Sequence, residues 1–333
     1  MKKYGAYGIG AALVDTEIKV EDRELAAMGV DKGVMTLVDQ ARQGELLGHL
    51  EGHLVKANHA SGGSAGNSMI ASAQFGSPTF MSCKVANDTD GDIYIADLES
   101  AGVDHCLHRD RAEGITGKCL VLVSPDAERS MNTFLGISET LSVEQLDAQA
   151  IADSEYLYIE GYLVTSPTGR AAAVRAREIA ETAGVRTALS FSDPGMVEFF
   201  REGMEEIVGD GVDLLFCNEA EALSWAGCDE LDLAVERLKQ VAKRFAVTLG
   251  AEGARTWDGS ELAQIPPHRV HAVDSNGAGD MFAGAFLYAI NRGEDFPTAG
   301  RFASLAAGKI VANYGPRLPA EEYPALRAEF FGD

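Results

Sequence analysis

Short, mainly apolar runs mark the chain at Tyr4–Gly10, Tyr156–Glu160, Arg186–Phe191, Leu214–Cys217 and Phe245–Leu249. Runs of this length without polar alternation are what strands covered on both faces require. Polar or Gly-containing turns follow most of them. Helical stretches lie between them, such as Gly169–Ala183 and Leu231–Arg244. The alternation predicts βαβ units, and so a doubly wound α/β fold: a mostly parallel central sheet flanked by helices.

Two regions break the alternation. One spans about 16–59 and holds the strand-like run Gly33–Val38. The other spans about 103–135 and holds Gly117–Val123. Both are expected to supply strands to a small β-sheet outside the main one. Placed above the carboxyl ends of the parallel strands, such a sheet makes a lid. No internal repeat, low-complexity tract or long linker divides the chain, so residues 1–333 read as a single domain with a discontinuous lid.

Composition narrows the class. A chain of 333 residues with 46% hydrophobic content builds a core without disulfide help. The five cysteines, Cys83, Cys106, Cys119, Cys217 and Cys228, include no C-x-x-C pair, and reduced thiols are expected. The apolar stretch after Met1-Lys2-Lys3 is Gly-rich and reaches Asp15 too early for a secretory leader. No predominantly apolar run approaches the about 20 residues that cross a bilayer; the uncharged stretch Ala60–Cys83 is broken throughout by Ser, Gly, Asn, Gln and Pro. A cytoplasmic, unprocessed protein with no membrane partner is expected. A formal net charge of −23 argues against non-specific nucleic-acid binding. It leaves room for a locally positive nucleotide site.

The most informative string is Asp274-Ser275-Asn276-Gly277-Ala278-Gly279-Asp280, with the apolar lead-in His271-Ala272-Val273 and a helix rich in small and apolar residues after it. Gly277 and Gly279 let backbone N–H groups turn inward at the helix start. Unpaired donors and the helix dipole there form an anion hole, which Ala278 shares. A transferring phosphoryl group suits it. Asp280, in the first turn beside the hole, can orient a hydroxyl and accept its proton.

This string closely resembles the C-terminal signature of the ribokinase-like (PfkB) carbohydrate and nucleoside kinases, and the resemblance runs in order along essentially the whole chain. It implies an ATP-dependent kinase with Asp280 as catalytic base, assisted by Gly277, Ala278 and Gly279. Gly8–Asp15 resembles the family's first substrate motif, which makes Asp15 a ligand for substrate hydroxyls; Ala11 stands where members often carry Asn. Ser61-Gly62-Gly63-Ser64-Ala65-Gly66-Asn67 resembles the Gly-Gly substrate motif, with Gly62 and Gly63 close to the substrate and Asn67 offering a donor and an acceptor. Asn218-Glu219-Ala220-Glu221 resembles the N-x-x-E element that places Mg²⁺ through water, and equally suits a helix cap. Thr248–Gly253 looks like the T-x-G-x-x-G element beside the nucleotide, with Thr248, Gly250 and Gly253 as its contacts; a plain hairpin turn fits as well. Arg129 is expected to reach substrate or phosphate as the lid closes. Asp274 and the backbone near Gly315 resemble the K⁺ site of some members.

The likeness is nearest to bacterial adenosine kinase-like members. It implies a nucleoside acceptor, with Phe134 a candidate surface for the base, and ATP and Mg²⁺ as cofactors. Ribose, fructose or 2-keto-3-deoxygluconate stands as the alternative acceptor. A non-catalytic regulatory relative is the alternative of another class, but Asp280 and its glycines are present. Monomer and homodimer both remain open. A dinucleotide oxidoreductase is disfavoured because Leu13 replaces the third glycine of G-x-G-x-x-G. Neither a P-loop string nor H-E-x-x-H occurs.

Overall fold

The computed structural model describes residues 2–50, 60–109, 111–126 and 128–332. The part of the 16–59 region that falls on residues 51–59 lies outside them. In chain order the described strands are β1 (Tyr4–Ile9), β2 (Leu13–Lys19), β3 (Met35–Leu37), β4 (Ala60–Gly62), β5 (Thr79–Ser82), β6 (Val103–His105) and β7 (Gly117–Val123). They continue as β8 (Arg129–Phe134), β9 (Ser154–Glu160), β10 (Arg186–Ser190), β11 (Leu214–Asn218), β12 (Phe245–Thr248), β13 (Ala254–Trp257) and β14 (Leu262–Ile265).

Nine strands form the main sheet in the order β14-β13-β12-β11-β10-β9-β1-β5-β6. All pairs from β12 to β6 are parallel, and the β12–β13 and β13–β14 pairs are antiparallel. The strands β1, β9, β10, β11 and β12 fall on the five apolar runs that the sequence marked. Helices cover both faces. Ser64–Phe75, Ala278–Asn291 and Phe296–Val311 bury Phe75, Phe286 and Phe302 on one side. On the other side Pro167–Thr182 buries its Ala172, Ala173, Ala176 and Ala180 stripe in a second core cluster.

The second sheet has the order β3-β8-β7-β2-β4. Chain connectivity decides where it hangs. β1 ends at Ile9, the chain turns through Gly10–Ala12, and β2 leaves at once into the second sheet. Asp15 is therefore suspended over the carboxyl end of β1, opposite Cys119 on β7 and Ala60 on β4. The outer face is closed by the helices Asp22–Met28 and Gln40–His49, whose Leu25, Met28 and Leu46 pack on Ile18, Leu120 and Leu122. The 16–59 region thus gives the second sheet its cover as well as strands.

Three local expectations change. β6 joins the main sheet beside β5 rather than the lid: helix Thr89–Ser100 makes a βαβ crossover that ends in this three-residue strand. The helix expected over Leu231–Arg244 stops at Leu238, because Val212 N donates to Val241 O at 2.9 Å and pulls the chain into a parallel bridge with Ala242. The apolar lead-in His271–Val273 is irregular; Val273 N and Asp274 N both donate to Val311 O, at 2.8 and 3.1 Å, which fixes the loop that follows. No helix among the described residues is long and apolar enough to cross a membrane.

Candidate active site

The carboxyl ends of β9–β12, the loop 275–280 and the inner face of the second sheet enclose a cavity of about 410 Å³. Such a crevice is where doubly wound sheets bind their ligands.

Helix Ala278–Asn291 points its N-terminus into this cavity. It begins at Gly277, which has φ 70°, and a Cβ there would lie 2.4 Å from Pro316 O. Only glycine fits both demands. No side chain caps this end. Ala278 N, expected to share the anion hole, donates instead to Ser275 O at 3.3 Å, which leaves the N–H groups of Gly279 and Asp280 for an anion, with the positive end of the helix dipole behind them. Gly279 differs from Gly277. Its φ is ordinary, and a Cβ added to it would meet no atom within 4 Å. Neither backbone nor packing requires this glycine, and the space it leaves is open.

Asp280 sits one residue further on and is half-buried. One carboxylate oxygen accepts from Ser64 Oγ at 2.6 Å and the other from Asn67 Nδ2 at 2.9 Å. Burial holds its pKa above the ordinary carboxylate value, and the two hydrogen bonds oppose that rise. Asn67 is 5% exposed, and its Oδ1 is buried with no hydrogen-bond partner among the described residues. A buried acceptor without a donor costs about 1–3 kcal/mol, so this atom, a neighbour of the Asp280 carboxylate, is suited to an incoming hydroxyl.

Asp15 is also buried, and burial, then the negative charge of Glu17, pushes its carboxyl up to about 7. Gly62, which pairs with Leu13 across β4 and β2, makes room for it: a Cβ on Gly62 would lie 2.2 Å from Asp15 Oδ1. Gly63 lines the cavity at the start of helix Ser64–Phe75, whereas Gly62 stands behind Asp15.

At the other end of the cavity, Asn218 closes β11 and caps helix Glu219–Ala226. Its Oδ1 accepts from Glu221 N at 2.8 Å, and Glu221 Oε2 accepts from Asn218 N at 3.0 Å. The motif is a reciprocal helix cap, and Asn218 and Glu221 line the cavity. Burial lifts the Glu221 carboxyl to about 7. Thr248 lines the cavity at the end of β12. Gly250 and Gly253 lie in the turn between the antiparallel β12 and β13, away from the lining.

Two expected contacts are placed differently. Arg129 lines the cavity wall, yet its guanidinium is engaged by Asp274 and by Glu17 Oε1, the latter at 3.2 Å. Phe134 lies off the cavity. Alternation along β8 turns Arg129, Met131 and Thr133 inward and Phe134 to the other face. The apolar wall of the cavity comes instead from Leu13, Met35, Val121, Met131 and Leu135.

Sequence reasoning missed several groups. Ser64 lies within the Gly-Gly motif, but its bond to Asp280 spans 216 residues. Glu160, 1% exposed at the end of β9, accepts from Ala11 N at 3.2 Å and Ala65 N at 2.8 Å, and burial pushes its carboxyl up to about 7. It ties the turn before Asp15 to the helix carrying Ser64 and Asn67. Ser192, after β10, is the one non-glycine residue with positive φ (69°) among the described residues, and it lines the cavity. Backbone of that kind gathers at functional sites. Four buried or half-buried carboxylates with raised pKa values, Asp15, Glu160, Glu221 and Asp280, thus face one cavity. This clustering is the electrostatic mark of a reactive site.

The fold and this site are those of a phosphotransferase, and the comparisons agree. The profile of the pfkB family carbohydrate kinases matches residues 38–322. The chain belongs to that family. A probable sugar kinase protein from Rhizobium etli CFN 42 superposes with a TM-score of 0.93 at 32% identity, over 100% of this chain and 99% of that one. Adenosine kinase from Sinorhizobium meliloti superposes with a TM-score of 0.92 at 33% identity, over 98% of this chain and 99% of that one. Adenosine kinase from Schizosaccharomyces pombe is 25% identical over 355 aligned positions, covering 97% of this chain and 99% of that protein.

Proposed function

We propose that this kinase moves the γ-phosphoryl group of ATP to the primary hydroxyl of a nucleoside of the adenosine type. The observation that carries the acceptor side is the unpartnered Asn67 Oδ1 beside the Asp280 carboxylate. The attacking hydroxyl, placed against Asp280, donates its proton toward that carboxylate, and a second hydroxyl of the acceptor donates to Asn67 Oδ1. As the attacking oxygen bonds to the γ-phosphorus, the bond from that phosphorus to the β–γ bridging oxygen breaks, ADP leaves, and the proton passes to Asp280. The N–H groups of Gly279 and Asp280 at the start of helix Ala278–Asn291 face the charge on the transferring group, and the open space at Gly279 lets it approach. Asp15 holds hydroxyls on the acceptor ring.

Thr248 and Asn218 border the nucleotide side. Mg²⁺ prefers oxygen ligands and keeps several waters; the Glu221 carboxylate, whose Oε1 accepts from Asn218 Nδ2 at 2.7 Å and Oε2 from Asn218 N, would support such waters only through its remaining lone pairs. When bound, Mg²⁺ supplies charge neutralisation of the phosphates.

The apolar inner face of the second sheet favours a nucleoside over a free sugar. Leu13, Met35, Val121 and Met131 on that face, with Leu135 just beyond β8, offer apolar surface beside Asp15, which suits a purine ring next to the hydroxyls that Asp15 would hold. The test is ADP release with Mg-ATP over adenosine, inosine, guanosine, ribose, fructose and 2-keto-3-deoxygluconate. Adenosine is expected to give the highest kcat/KM. A free sugar above every nucleoside overturns the acceptor assignment and retains the kinase. No turnover with any of them overturns the reading.

A further inference from the structure

The resemblance to K⁺-using members puts a monovalent cation against Asp274, and the residues present do not fit one. A cation site needs several oxygens converging on one point. Asp274 is fully buried, and what converges on it is a set of donors. Its Oδ1 accepts from Asn276 N at 2.9 Å, its Oδ2 accepts from Gly315 N at 2.8 Å, and the Arg129 guanidinium covers the carboxylate from β8. Each of these groups turns positive charge toward the place where a cation would need lone pairs. Arg129 is held there by more than Asp274. It is the first residue of β8, paired with Val123 of β7, is 6% exposed, and gives a second hydrogen bond to Glu17 on β2. Asn276 Nδ2 donates to the same Glu17 oxygen at 3.4 Å. A guanidinium keeps its charge at every accessible pH and spreads it over a planar fork that matches a carboxylate.

We propose that Arg129 is this kinase's built-in monovalent cation: its charge on Asp274 shapes the 274–280 loop and ties it to the second sheet, so turnover needs no K⁺. Arg129 is then a positioning residue, acting on the transferring group through the loop.

The test compares KCl, NaCl and tetramethylammonium chloride at constant ionic strength, by initial rate and by thermal melting without substrates. Wild type is expected to show rates within about twofold and one common Tm in the three salts. A K⁺-specific rate increase of about tenfold or more, worth about 1.4 kcal/mol in the barrier, overturns the proposal. So does a K⁺-specific, saturable rise in wild-type Tm, the mass-action mark of a bound ion. Arg129→Ala opens the place, and its Tm is expected to rise with K⁺ alone; equal melting in all three salts would show that the guanidinium replaces no cation. Arg129→Lys keeps a charge there and is expected to stay insensitive, which preserves the test if the alanine variant does not fold. The kinetic arm rests on the phosphoryl-transfer reading. The melting arm does not, so failure of one is distinguishable from failure of the other.

Discussion

Asp274 and Asp280 stand at the two ends of one seven-residue loop and live in opposite surroundings. Asp274 is fully buried, surrounded by backbone N–H donors and a guanidinium, and has no free face. Asp280 is half-buried, is held among the described residues by the neutral donors Ser64 and Asn67, and opens onto the cavity. A carboxylate neutralised on every side can fix a loop but cannot take a proton from a ligand. One steadied by neutral donors, with its pKa raised by burial, keeps its basicity available. The same side chain, six residues apart, is structural at one end and reactive at the other because of its neighbours.

The comparison breaks most visibly at Asp274. Asp274→Ala leaves Arg129 buried with Glu17 as its remaining partner, and removal of one member of a buried pair costs about 3–5 kcal/mol. Chemical denaturation should show that loss. A variant as stable as wild type would mean that the pair contributes little. The glycines between the two aspartates divide in the same way. Gly277→Ala forces a Cβ against Pro316 O at positive φ, and strain of about 1–2 kcal/mol should lower Tm. Gly279→Ala meets no protein atom, so Tm should hold while kcat/KM for ATP falls by about tenfold or more, as misplaced reacting groups lose rate steeply. Unchanged kinetics in Gly279→Ala would remove the anion from that space.

The smallest expected effect concerns Glu160. Its folded-state pKa of about 7 exceeds the ordinary 4.5, so the native state binds more protons than the unfolded state between those values. Stability from this group is present at low pH and is lost as pH rises through about 7. Glu160→Gln cannot titrate and leaves one of the two backbone N–H groups facing an amide nitrogen, at about 1–3 kcal/mol. The advantage of wild type over this variant, followed by Tm, should narrow from pH 4.5 to 7. A difference independent of pH would show that the two N–H donors keep Glu160 ionised throughout.

The main sheet was legible because its central strands are covered on both faces and so had to be continuously apolar, as in Leu214–Cys217. β6 was not, since a three-residue strand at the sheet edge carries only Val103 as an apolar anchor. Residues of the site could be read where glycines and a helix start sit next to each other in sequence, as at Gly277–Asp280. What remained hidden depends on distant pairing. Glu160 acquires its role from Ala11 and Ala65, which lie 149 and 95 residues away. Likewise, Arg129 offered a free cation in sequence, and only the approach of β8 to the 274–280 loop shows that its charge is already used.

The central claim, that Asp280 takes the acceptor proton, is tested most directly by single-turnover phosphoryl transfer from Mg-ATP to the accepted substrate, with wild type and Asp280→Asn compared at equal folding and equal ATP affinity. The asparagine variant keeps the hydrogen-bonding shape of the site and loses only the base. Its rate should fall by about 10²–10⁴-fold. A rate within about threefold of wild type, less than about 1 kcal/mol in the barrier, would contradict the account and return Asp280 to the same structural class as Asp274.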